Sequence, residues 1–566
     1  MQNLIYLLLR RMRLPIIVLT VTYAISVLGL VLTPGVDGQG NPWHMDFFHA
    51  FYFVSFMGST IGFGEIPYPF TDAQRLWVTL SIYAAVVAWL YTIGVMLSIV
   101  QDRGFQRILQ TNRFVRNVRR IVDPFYVICG YGDSGSLLVR ELAEHGIASV
   151  VIDVDQERID ALNIDDLRLF TPGVCADAGD SDVLRDAGLG HRHCRGVVTL
   201  IKDEQVSLKI AITCKLLRPT LPVICRAETD DGAANLASVN TDHIVNPYKA
   251  FAERFAMMFH SPSMYLIHEW VTSIHDEPLI DHQVPPRGMW LICGYGRFGR
   301  ALRRYLNFEG VASRIIDNNP DLTKPPAGSV IGRATEAGAL QEAEIQRAVG
   351  IIAATNSDPD NLSIIITARQ LNPNLFVVCR QNEQKNTPIF RAATLNGVMQ
   401  PSTILARHIL AVIMTPGLSD FLSFARKHDD KWANVLVSRI GGVLSDSPPE
   451  VWSLAIGHRE APAIAELLEE GEQPTVGDLC TNPHDRSRPL GCVPLLLQRG
   501  GATTLLPDNP RALQMADVLL FCGTEDAMDD MLWTASNFNV LSYVRTGRDR
   551  STGLLWRWLA KQAESG

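Results

Sequence analysis

The stretch Gly58-Ser-Thr-Ile-Gly-Phe-Gly-Glu65 is a glycine-rich polar turn that lies between two long apolar runs. Such a turn cannot cross the hydrocarbon core of a membrane by itself, because its backbone N–H and C=O groups would have no hydrogen-bond partners in lipid. The turn must therefore be shielded by protein or must line water.

The apolar runs on either side of this turn predict two membrane-spanning helices. Residues 14–32 carry no charge over 19 positions, and residues 76–100 carry none over 25 positions. Each run is long enough to cross a bilayer as a helix. The first run has the basic start of a signal peptide, but it is too long for one and has no small-residue cleavage site.

Basic residues predict the orientation of the two spans. Arg10, Arg11 and Arg13 precede the first span, six arginines follow the second, and Arg75 is the only basic residue between them. The positive-inside rule then predicts a multi-pass protein of the cell (inner) membrane with both termini in the cytoplasm. All ten cysteines follow residue 128, hence on the cytosolic side, where thiols are normally reduced.

Composition limits the remaining part of the chain. With 566 residues several domains are expected, and a hydrophobic content of 47% indicates that most of the chain is water-soluble. The net charge of −8 gives no reason to expect nucleic-acid binding.

An aromatic segment of 15 residues, 43–57, runs directly into the polar turn and is too short to span a membrane. It predicts a re-entrant helix whose negative C-terminal end points at an ion path. A potassium filter needs carbonyl oxygens and a threonine hydroxyl on one axis, and alternate glycines allow that arrangement. A bare hairpin turn is the alternative, but it does not account for the aromatic helix. The predicted filter residues are Thr60, Ile61, Gly62, Phe63 and Gly64.

The order of span, short helix, filter and span resembles the pore of two-transmembrane potassium channels. The resemblance implies potassium as the permeant ion in a lipid bilayer, and a homotetramer, since four filter loops must surround the axis. Glu65 stands where the family usually has Asp, and Phe63 replaces the commoner Tyr. Neither change removes a carbonyl group, so selectivity for potassium over sodium is expected.

Gly94, in the middle of the second predicted span, has two interpretations. It permits close helix packing, or it serves as a gating hinge. Leu97 and Val100, about one turn further along, are placed to form an apolar constriction that gates by dewetting.

The cytosolic part contains an internal duplication. Residues 125–135 match residues 289–299, and residues 216–226 match residues 370–380. Asp153 and Asp317 each follow 23 residues after the first glycine of the matching turn. Each copy reads as strand, glycine turn, helix, strand and acid, followed by alternating helices and strands. This order predicts two doubly wound parallel sheets.

The glycine turns carry a dinucleotide fingerprint, because each follows a strand, opens a helix and has an acid about 20 residues later. Asp133 in the first turn would repel a phosphate unless a divalent cation bridged them, whereas Arg297 and Arg300 in the second would attract one. The second copy is therefore favoured, and a Rossmann turn with an empty site remains the alternative for each. The predicted nucleotide-binding residues are Gly130, Gly132, Gly135 and Asp153 in the first copy and Gly294, Gly296, Arg297, Phe298, Gly299, Asp317 and Arg333 in the second.

The two copies resemble the RCK domain, the TrkA-type NAD-binding fold that regulates potassium conductance. The resemblance implies a membrane α-helical pore fused to two α/β Rossmann-like domains and a small α+β C-terminal subdomain, with four chains forming a gating ring. The expected domains are a pore (1–102), a helical linker (103–122), a first RCK domain (123–284), a second RCK domain with its crossover helices (285–430) and the C-terminal subdomain (431–566).

Ligands of that family include NAD or NADH, ADP or ATP, and calcium. The positions that match the family's calcium site are Asp177, Asp203 and Glu204, although Lys202 stands where an acid is wanted. Acids at 165–166 and 228–231 are further calcium candidates, and a solvated loop is the alternative for each. The cluster 191–194, with two histidines and Cys194, is interpreted as a polar loop rather than a metal site.

The sequence thus predicts a ligand-gated potassium channel that is not an enzyme. An acid after the second strand favours a ligand with a free ribose 2′-hydroxyl, and so argues against NADP. The alternatives are a membrane-anchored NAD-dependent enzyme, which would not explain the filter sequence, and a regulatory subunit or exchanger of a potassium transport system. An exchanger would need many more spans than two.

Overall fold

The computed structural model describes residues 2–59, 61–62, 64–272, 283–415, 417–444 and 449–548. These divide into two compact units, Met1–Asn117 and Val118–Gly566. The first unit contains the elements α1 (Gln2–Leu32), β1 (Pro34–Val36), β2 (Pro42–His44), α2 (Phe47–Gly58), α3 (Asp72–Gln101) and α4 (Arg103–Arg119), of which α4 ends beyond the boundary.

Two helices of the first unit, over Arg10–Leu32 and Asp72–Gln101, are long and apolar enough to cross a membrane. Both predicted spans are therefore confirmed as helices. The short helix begins four residues later than predicted, because Pro42–His44 pairs with Pro34–Val36 as a two-stranded ribbon. Asp46 then starts α2 by accepting a hydrogen bond from the backbone N–H of His49 at 2.7 Å.

Tight glycine contacts join the helices of this unit. A Cβ atom added to Gly29 in α1 would lie 1.9 Å from the indole ring of Trp77 in α3. The same indole donates to the backbone carbonyl of Ser26 at 3.1 Å. A Cβ atom added to Gly58, at the end of α2, would lie 2.0 Å from the hydroxyl oxygen of Tyr23. Small residues at these points allow the three helices to approach closely.

The second unit begins with the first Rossmann-like sheet. Its elements are β3 (Phe125–Cys129), α5 (Asp133–Glu144), β4 (Ala148–Asp153), α6 (Gln156–Ile164), β5 (Gly173–Cys175), α7 (Ser181–Asp186), β6 (Cys194–Thr199), α8 (Glu204–Leu217), β7 (Val223–Arg226), α9 (Asp230–Ser238), β8 (His243–Val245), α10 (Pro247–His260) and α11 (Pro262–Thr272).

The second copy repeats this order, with short 3-10 turns at Ile345–Arg347 and Gln384–Asn386. Its elements are β9 (Trp290–Cys293), α12 (Arg297–Phe308), β10 (Ser313–Asp317), α13 (Pro320–Thr323), β11 (Val330–Ile331), α14 (Ala337–Glu342), β12 (Gly350–Ala353), α15 (Asp358–Leu371), β13 (Phe376–Arg380), α16 (Thr387–Ala392), β14 (Gly397–Met399), α17 (Pro401–Met414) and α18 (Leu418–Ala425).

Both sheets are parallel and have the same strand order. The first runs β5-β4-β3-β6-β7-β8, and the second runs β11-β10-β9-β12-β13-β14. Counted within each copy, this order is 3-2-1-4-5-6, the order of the dinucleotide-binding fold. The predicted duplication of a doubly wound sheet is confirmed.

The two copies exchange their last helices. α10 of the first copy packs on α12 of the second, and α17 of the second copy packs on α5 of the first. Phe255 of α10 consequently shares a core with Phe298 of α12, and Ile409 of α17 shares one with Leu142 of α5. Part of each sheet is thus covered by a helix of the other copy, so the pair forms one folding unit.

The C-terminal subdomain is α+β, as predicted. It contains α19 (Asp430–Gly441), β15 (Glu450–Ala455), α20 (Pro462–Glu469), α21 (Val476–Leu479), β16 (Cys492–Arg499), β17 (Ala502–Leu505), β18 (Val518–Gly523), α22 (Glu525–Ser536) and α23 (Phe538–Thr546). Its antiparallel sheet has the order β15-β18-β16-β17, and α19 packs on α11. The domain boundaries given above remain predictions.

Candidate functional site: the pore loop and the two glycine turns

The pore loop begins directly at the end of α2. The N–H of Ile61 donates to the carbonyl of Phe56 at 3.0 Å, which continues the last turn of the helix. Gly62 and Gly64 have φ angles of +67° and +99°, in the left-handed region that favours glycine. A Cβ atom added to either would meet nothing within 4 Å, so backbone conformation and not crowding requires these glycines.

Two of the predicted filter residues, Thr60 and Phe63, lie outside the described residues. The alternation of left-handed glycines at the other positions has the pattern expected if successive carbonyl groups are to be aimed in one direction.

Glu65 anchors the C-terminal end of this loop to α3. Its carboxylate accepts from Nε of Arg75 at 2.9 Å and from the backbone N–H of Phe70 at 2.8 Å. The hydrogen bonds from Arg75 and then Phe70 lower the pKa of Glu65, which keeps this carboxylate ionised. Arg75 was interpreted from sequence only as a marker of orientation, so its role at the filter was missed.

The predicted gate residues lie on α3. A Cβ atom added to Gly94 would meet nothing within 4 Å, so contact within the described part of the chain does not explain this glycine. The side chains of Leu97 and Val100 are each about half exposed in the single chain, at 53% and 52%.

In the second glycine turn, each of the three glycines is explained by a different structural feature. Gly294 has a φ of +102° and makes the turn. A Cβ atom on Gly299 would lie 2.0 Å from the carbonyl oxygen of Gly294, so α12 can pack on the strand only with glycine there. A Cβ atom on Gly296 would meet nothing within 4 Å, and no side chain caps the α12 N-terminus that Gly296 begins.

Asp317 lies beside this turn at the end of β10 and is buried. Its Oδ1 accepts from the N–H of Asn319 at 2.9 Å and the hydroxyl of Thr323 at 2.7 Å, and its Oδ2 accepts from the N–H of Tyr295 at 2.6 Å. Each carboxylate oxygen can accept about two hydrogen bonds, so Oδ2 retains capacity for one ribose hydroxyl.

The other residues predicted for this turn are placed differently from one another. Phe298 is fully buried, so it can offer a ligand only its backbone N–H. Arg300 donates to the carbonyl of Thr323 at 2.6 Å. Arg297 forms an ion pair with Glu228 of the first copy, a contact that sequence reasoning did not foresee. Arg333 is exposed and has no hydrogen-bond or ion-pair partner among the described residues.

The first glycine turn has the same backbone conformation as the second, but the side chain of Arg158 lies next to it. Gly130 has a φ of +104°, and a Cβ atom on Gly135 would lie 2.1 Å from its carbonyl oxygen. Oδ2 of Asp153 accepts from the N–H of Tyr131 at 2.6 Å and from Nη1 of Arg158 at 3.3 Å. The same Nη1 lies 3.7 Å from a Cβ atom added to Gly132.

Arg158 thus takes the second acceptor position of Oδ2 of Asp153, whose Oδ1 accepts from the N–H of Asp155 at 2.8 Å, and it lies over the first turn. Its counterpart in the second copy is Leu322, which is 75% exposed and has no group that could donate to Asp317. Asp317 pairs in register with Ile331, which is also exposed, so an apolar surface lies next to the acid.

The calcium prediction at Asp177, Asp203 and Glu204 is not supported. Asp203 caps α8, and the carboxylate of Glu204 accepts from the N–H of Glu228 at 2.7 Å and of Thr229 at 2.9 Å. Asp358 does the same in the second copy, where it accepts from Asn382 and Glu383. These acids hold the loop after the fifth strand in both copies.

Among the described residues, no group of three or more His, Cys, Asp or Glu side chains is arranged to hold a metal ion. This search includes the acids at 165–166 and 228–231. In the loop 191–194, Nε of Arg192 donates to the ring of His193 at 2.7 Å.

Comparison with known proteins matches two family models to the chain. The "Ion channel" model matches residues 16–102, and the "TrkA-N domain" model matches residues 126–247 and again 290–401. The chain therefore contains an ion-channel region followed by two TrkA-N domains. The two TrkA-N matches coincide with the two parallel sheets, and the ion-channel match covers both spans and the pore loop.

Three proteins similar to this chain are described as channels. Potassium channel protein 1 of Methanocaldococcus jannaschii is 26% identical over 41% of this chain and 68% of that protein. Probable potassium channel protein 2 of the same organism is 33% identical over 34% of this chain and 58% of that protein. A solved structure described as the GsuK channel bound to NAD is 15% identical, with a TM-score of 0.45, over 94% of this chain and 100% of that one.

Proposed function

We propose that this ion channel is a potassium-selective homotetramer of the cell membrane, with both termini in the cytoplasm. An adenine nucleotide, NAD or ADP, binds at the second TrkA-N domain and opens or closes the pore. The nucleotide is a regulatory ligand and is not a substrate.

Potassium selectivity is supported by the pore loop. Gly62 and Gly64 are both left-handed, and the capped helix α2 ends directly before them. Glu65 fixes the C-terminal end of the loop to Arg75. An apolar hairpin would not need this combination of a helix end, alternate glycines and an anchored carboxylate.

The open space at Gly296 carries the nucleotide proposal. A pyrophosphate must approach the backbone closely at this glycine, and the uncapped N–H groups of α12 are suited to bind it. Oδ2 of Asp317 has acceptor capacity for a ribose hydroxyl, and the exposed side chains of Leu322 and Ile331 offer an apolar wall for the adenine ring. In the first copy, Arg158 lies in the corresponding space.

Coupling requires that the nucleotide bind more tightly to one state of the ring than to another. The basic helix α4 connects the pore to the first sheet, so a change in the ring reaches α3 through it. Coupling free energies are typically about 1–3 kcal/mol per site, and several sites in a tetramer would act together. Gly94, Leu97 and Val100 are the positions on α3 at which this change would open or close the pore.

The test is potassium flux from liposomes that contain only this protein, with NAD, ADP and calcium added one at a time. We expect flux that responds to a nucleotide. Asp317→Asn should remove the response, while the matched variant Asp153→Asn in the first copy should keep it. Hydride transfer from added NADH would contradict the regulatory role.

Other outcomes would overturn separate parts of the proposal. Flux that ignores every nucleotide would leave a potassium pore whose TrkA-N domains are scaffolds. An absence of flux would favour the membrane hairpin over the pore.

A further inference from the structure

A cavity of about 530 Å³ lies between the exchanged helices of the first copy and the far edge of the second sheet. Its walls come from α10 and α11 on one side and from β13, β14, α16 and α17 on the other. This volume lies within the range of about 300–1,000 Å³ that is usual for small-molecule sites. It is separate from both glycine turns, none of whose residues line it.

Aromatic side chains form much of the lining. Phe255, Phe376 and Phe390 are buried, Phe255 in the α10 wall of the cavity and the other two in the opposite wall. Phe251, Tyr265 and Trp270 also line it and are partly exposed. A lining of this kind favours a flat apolar ligand, because offset and edge contacts between rings stabilise beyond the burial of area.

The charged side chains in the lining are Arg254, Arg391, Arg407 and Glu269, an excess of positive charge. Arg254 forms an ion pair with Glu269 at 3.0 Å. The guanidinium of Arg391 is exposed at the end of α16 and has no hydrogen-bond or ion-pair partner among the described residues. Arg391 is therefore available to form an ion pair with a ligand that has an acidic group.

Four neutral polar side chains of the lining are already hydrogen-bonded to one another. Gln381 is buried and donates to the hydroxyl of Thr387 at 2.8 Å, and Gln400 donates to the side-chain oxygen of Gln381. Thr403 donates to Gln400 at 2.9 Å. A neutral polyhydroxyl ligand would have to break this network, whereas a ring with an acidic group would not.

We propose that this cavity binds a small aromatic anion, with its ring system between the phenylalanines of the two walls and its phosphate or carboxylate group at Arg391. The site belongs jointly to both TrkA-N copies. Since α11 also packs on α19, the ligand would link the exchanged helices to the C-terminal subdomain.

The experiment is calorimetric titration of the full-length protein with three probes. 2-Naphthyl phosphate has both the ring and the anion, a neutral naphthyl glucoside has only the ring, and inorganic phosphate has only the anion. We expect saturable binding of 2-naphthyl phosphate, with the other two probes at least about tenfold weaker. If the glucoside binds equally well, the proposed role of Arg391 is wrong. If inorganic phosphate binds equally well, the proposed role of the phenylalanines is wrong.

Variants locate the site. Arg391→Glu should weaken 2-naphthyl phosphate by at least about tenfold, because it replaces an attractive charge with a repulsive one. Arg391→Lys should restore part of the affinity. Arg511→Glu is the matched control, since Arg511 is also exposed and lies in the C-terminal subdomain. Binding that Arg391→Glu leaves unchanged, or that excess ADP abolishes, would place the ligand elsewhere and contradict the proposal.

Discussion

The guanidinium of Arg297, at the start of α12 in the second copy, forms an ion pair with the carboxylate of Glu228 from the first copy. Glu228 also pairs with Arg226, and the side chains of Glu228 and Arg226 are only 3% and 7% exposed. The ring of Tyr248 lies beneath Arg297, 5.6 Å from its guanidinium carbon. The glycine turn of the second copy is therefore held by an ion pair to a buried carboxylate of the first copy.

Removing the acid from this group should destabilise the whole second unit, Val118–Gly566. Glu228→Gln leaves Arg226 buried without its counter-charge, and breaking a buried pair in this way costs about 3–5 kcal/mol. Arg297→Ala should cost much less, because Arg297 is 46% exposed and Glu228 keeps Arg226. Denaturant unfolding of the purified protein, monitored by tryptophan fluorescence, measures both changes.

Arg304→Ala is the control for this comparison, since Arg304 and Asp230 are both largely exposed at a distance of 3.5 Å. Its cost should stay within about 1 kcal/mol. If Glu228→Gln costs no more than this control, the buried Arg226–Glu228 pair does not stabilise this unit.

The glycines of the second turn should separate folding from ligand binding. Gly299→Ala forces a Cβ atom against the carbonyl of Gly294, and we expect a loss of about 1–3 kcal/mol in stability. Gly296→Ala has open space and a φ of −70°, so its fold should be kept. Its added methyl group would occupy the approach of the pyrophosphate, and nucleotide affinity should fall by about tenfold or more.

Calorimetric titration with NAD and with ADP measures this second effect. Gly338→Ala, which is also unobstructed, is the control and should bind as the parent protein does. Undiminished affinity in Gly296→Ala would exclude the second turn as the nucleotide site.

Cys175 offers a direct probe of the first turn. It pairs in register with Asp153 and is the only one of the ten free cysteines that is not buried. Burial raises the pKa of the thiols of Cys194 and Cys225 to about 11, so these sites should not react near neutral pH. A water-soluble thiol reagent should therefore modify one cysteine per chain in the folded protein.

Mass spectrometry identifies the modified cysteine, and Cys175→Ser should abolish labelling. Because Arg158 lies over the first turn, we expect ADP to leave the labelling rate unchanged. Protection by ADP would show that the first copy also binds a nucleotide.

Local patterns were sufficient to predict the two spans, the short helix before the filter, and both parallel sheets. The fingerprint also predicted that Gly294, Gly299 and Asp317 lie at one turn. This was possible because the contacts that join them lie within that turn and the strand that follows it. The partners Glu228 and Arg297 could not be paired from sequence, since their contact depends on the exchange of α10 and α17 between copies.

The calcium prediction lacks support for a related reason. An acid that caps a helix or holds a loop and an acid that binds a cation have the same spacing in sequence. The match between Glu204 and Asp358, which anchor the same loop in both copies, was available in the duplication and would have indicated a structural role.

A buried histidine should make stability depend on pH. His268 lies at 8% exposure in α11, and burial, followed by the charges of Arg254 and Arg426, lowers its pKa well below the ordinary value of 6.5. The unfolded chain therefore binds a proton near that value while the folded chain does not, so stability falls as the pH drops below about 6.5. His268→Gln should reduce this fall. Thermal unfolding at neutral pH and at about pH 5.5 measures the difference, and an equal fall in both proteins would contradict it.

Glu65 and Arg75 should set the acid sensitivity of the pore. Arg75 and the N–H of Phe70 lower the pKa of Glu65, so its carboxylate stays charged, and anchored, in moderate acid. Arg75→Ala removes the larger of these causes, and the pKa of Glu65 should rise, so that protonation releases the loop at a higher pH. Potassium flux from liposomes, recorded while the pH at the filter side is lowered, should then decline earlier in Arg75→Ala than in the parent protein. Glu65→Gln should show no titration over the same range, because it cannot take up the proton. An unchanged midpoint in Arg75→Ala would mean that this ion pair does not control the filter.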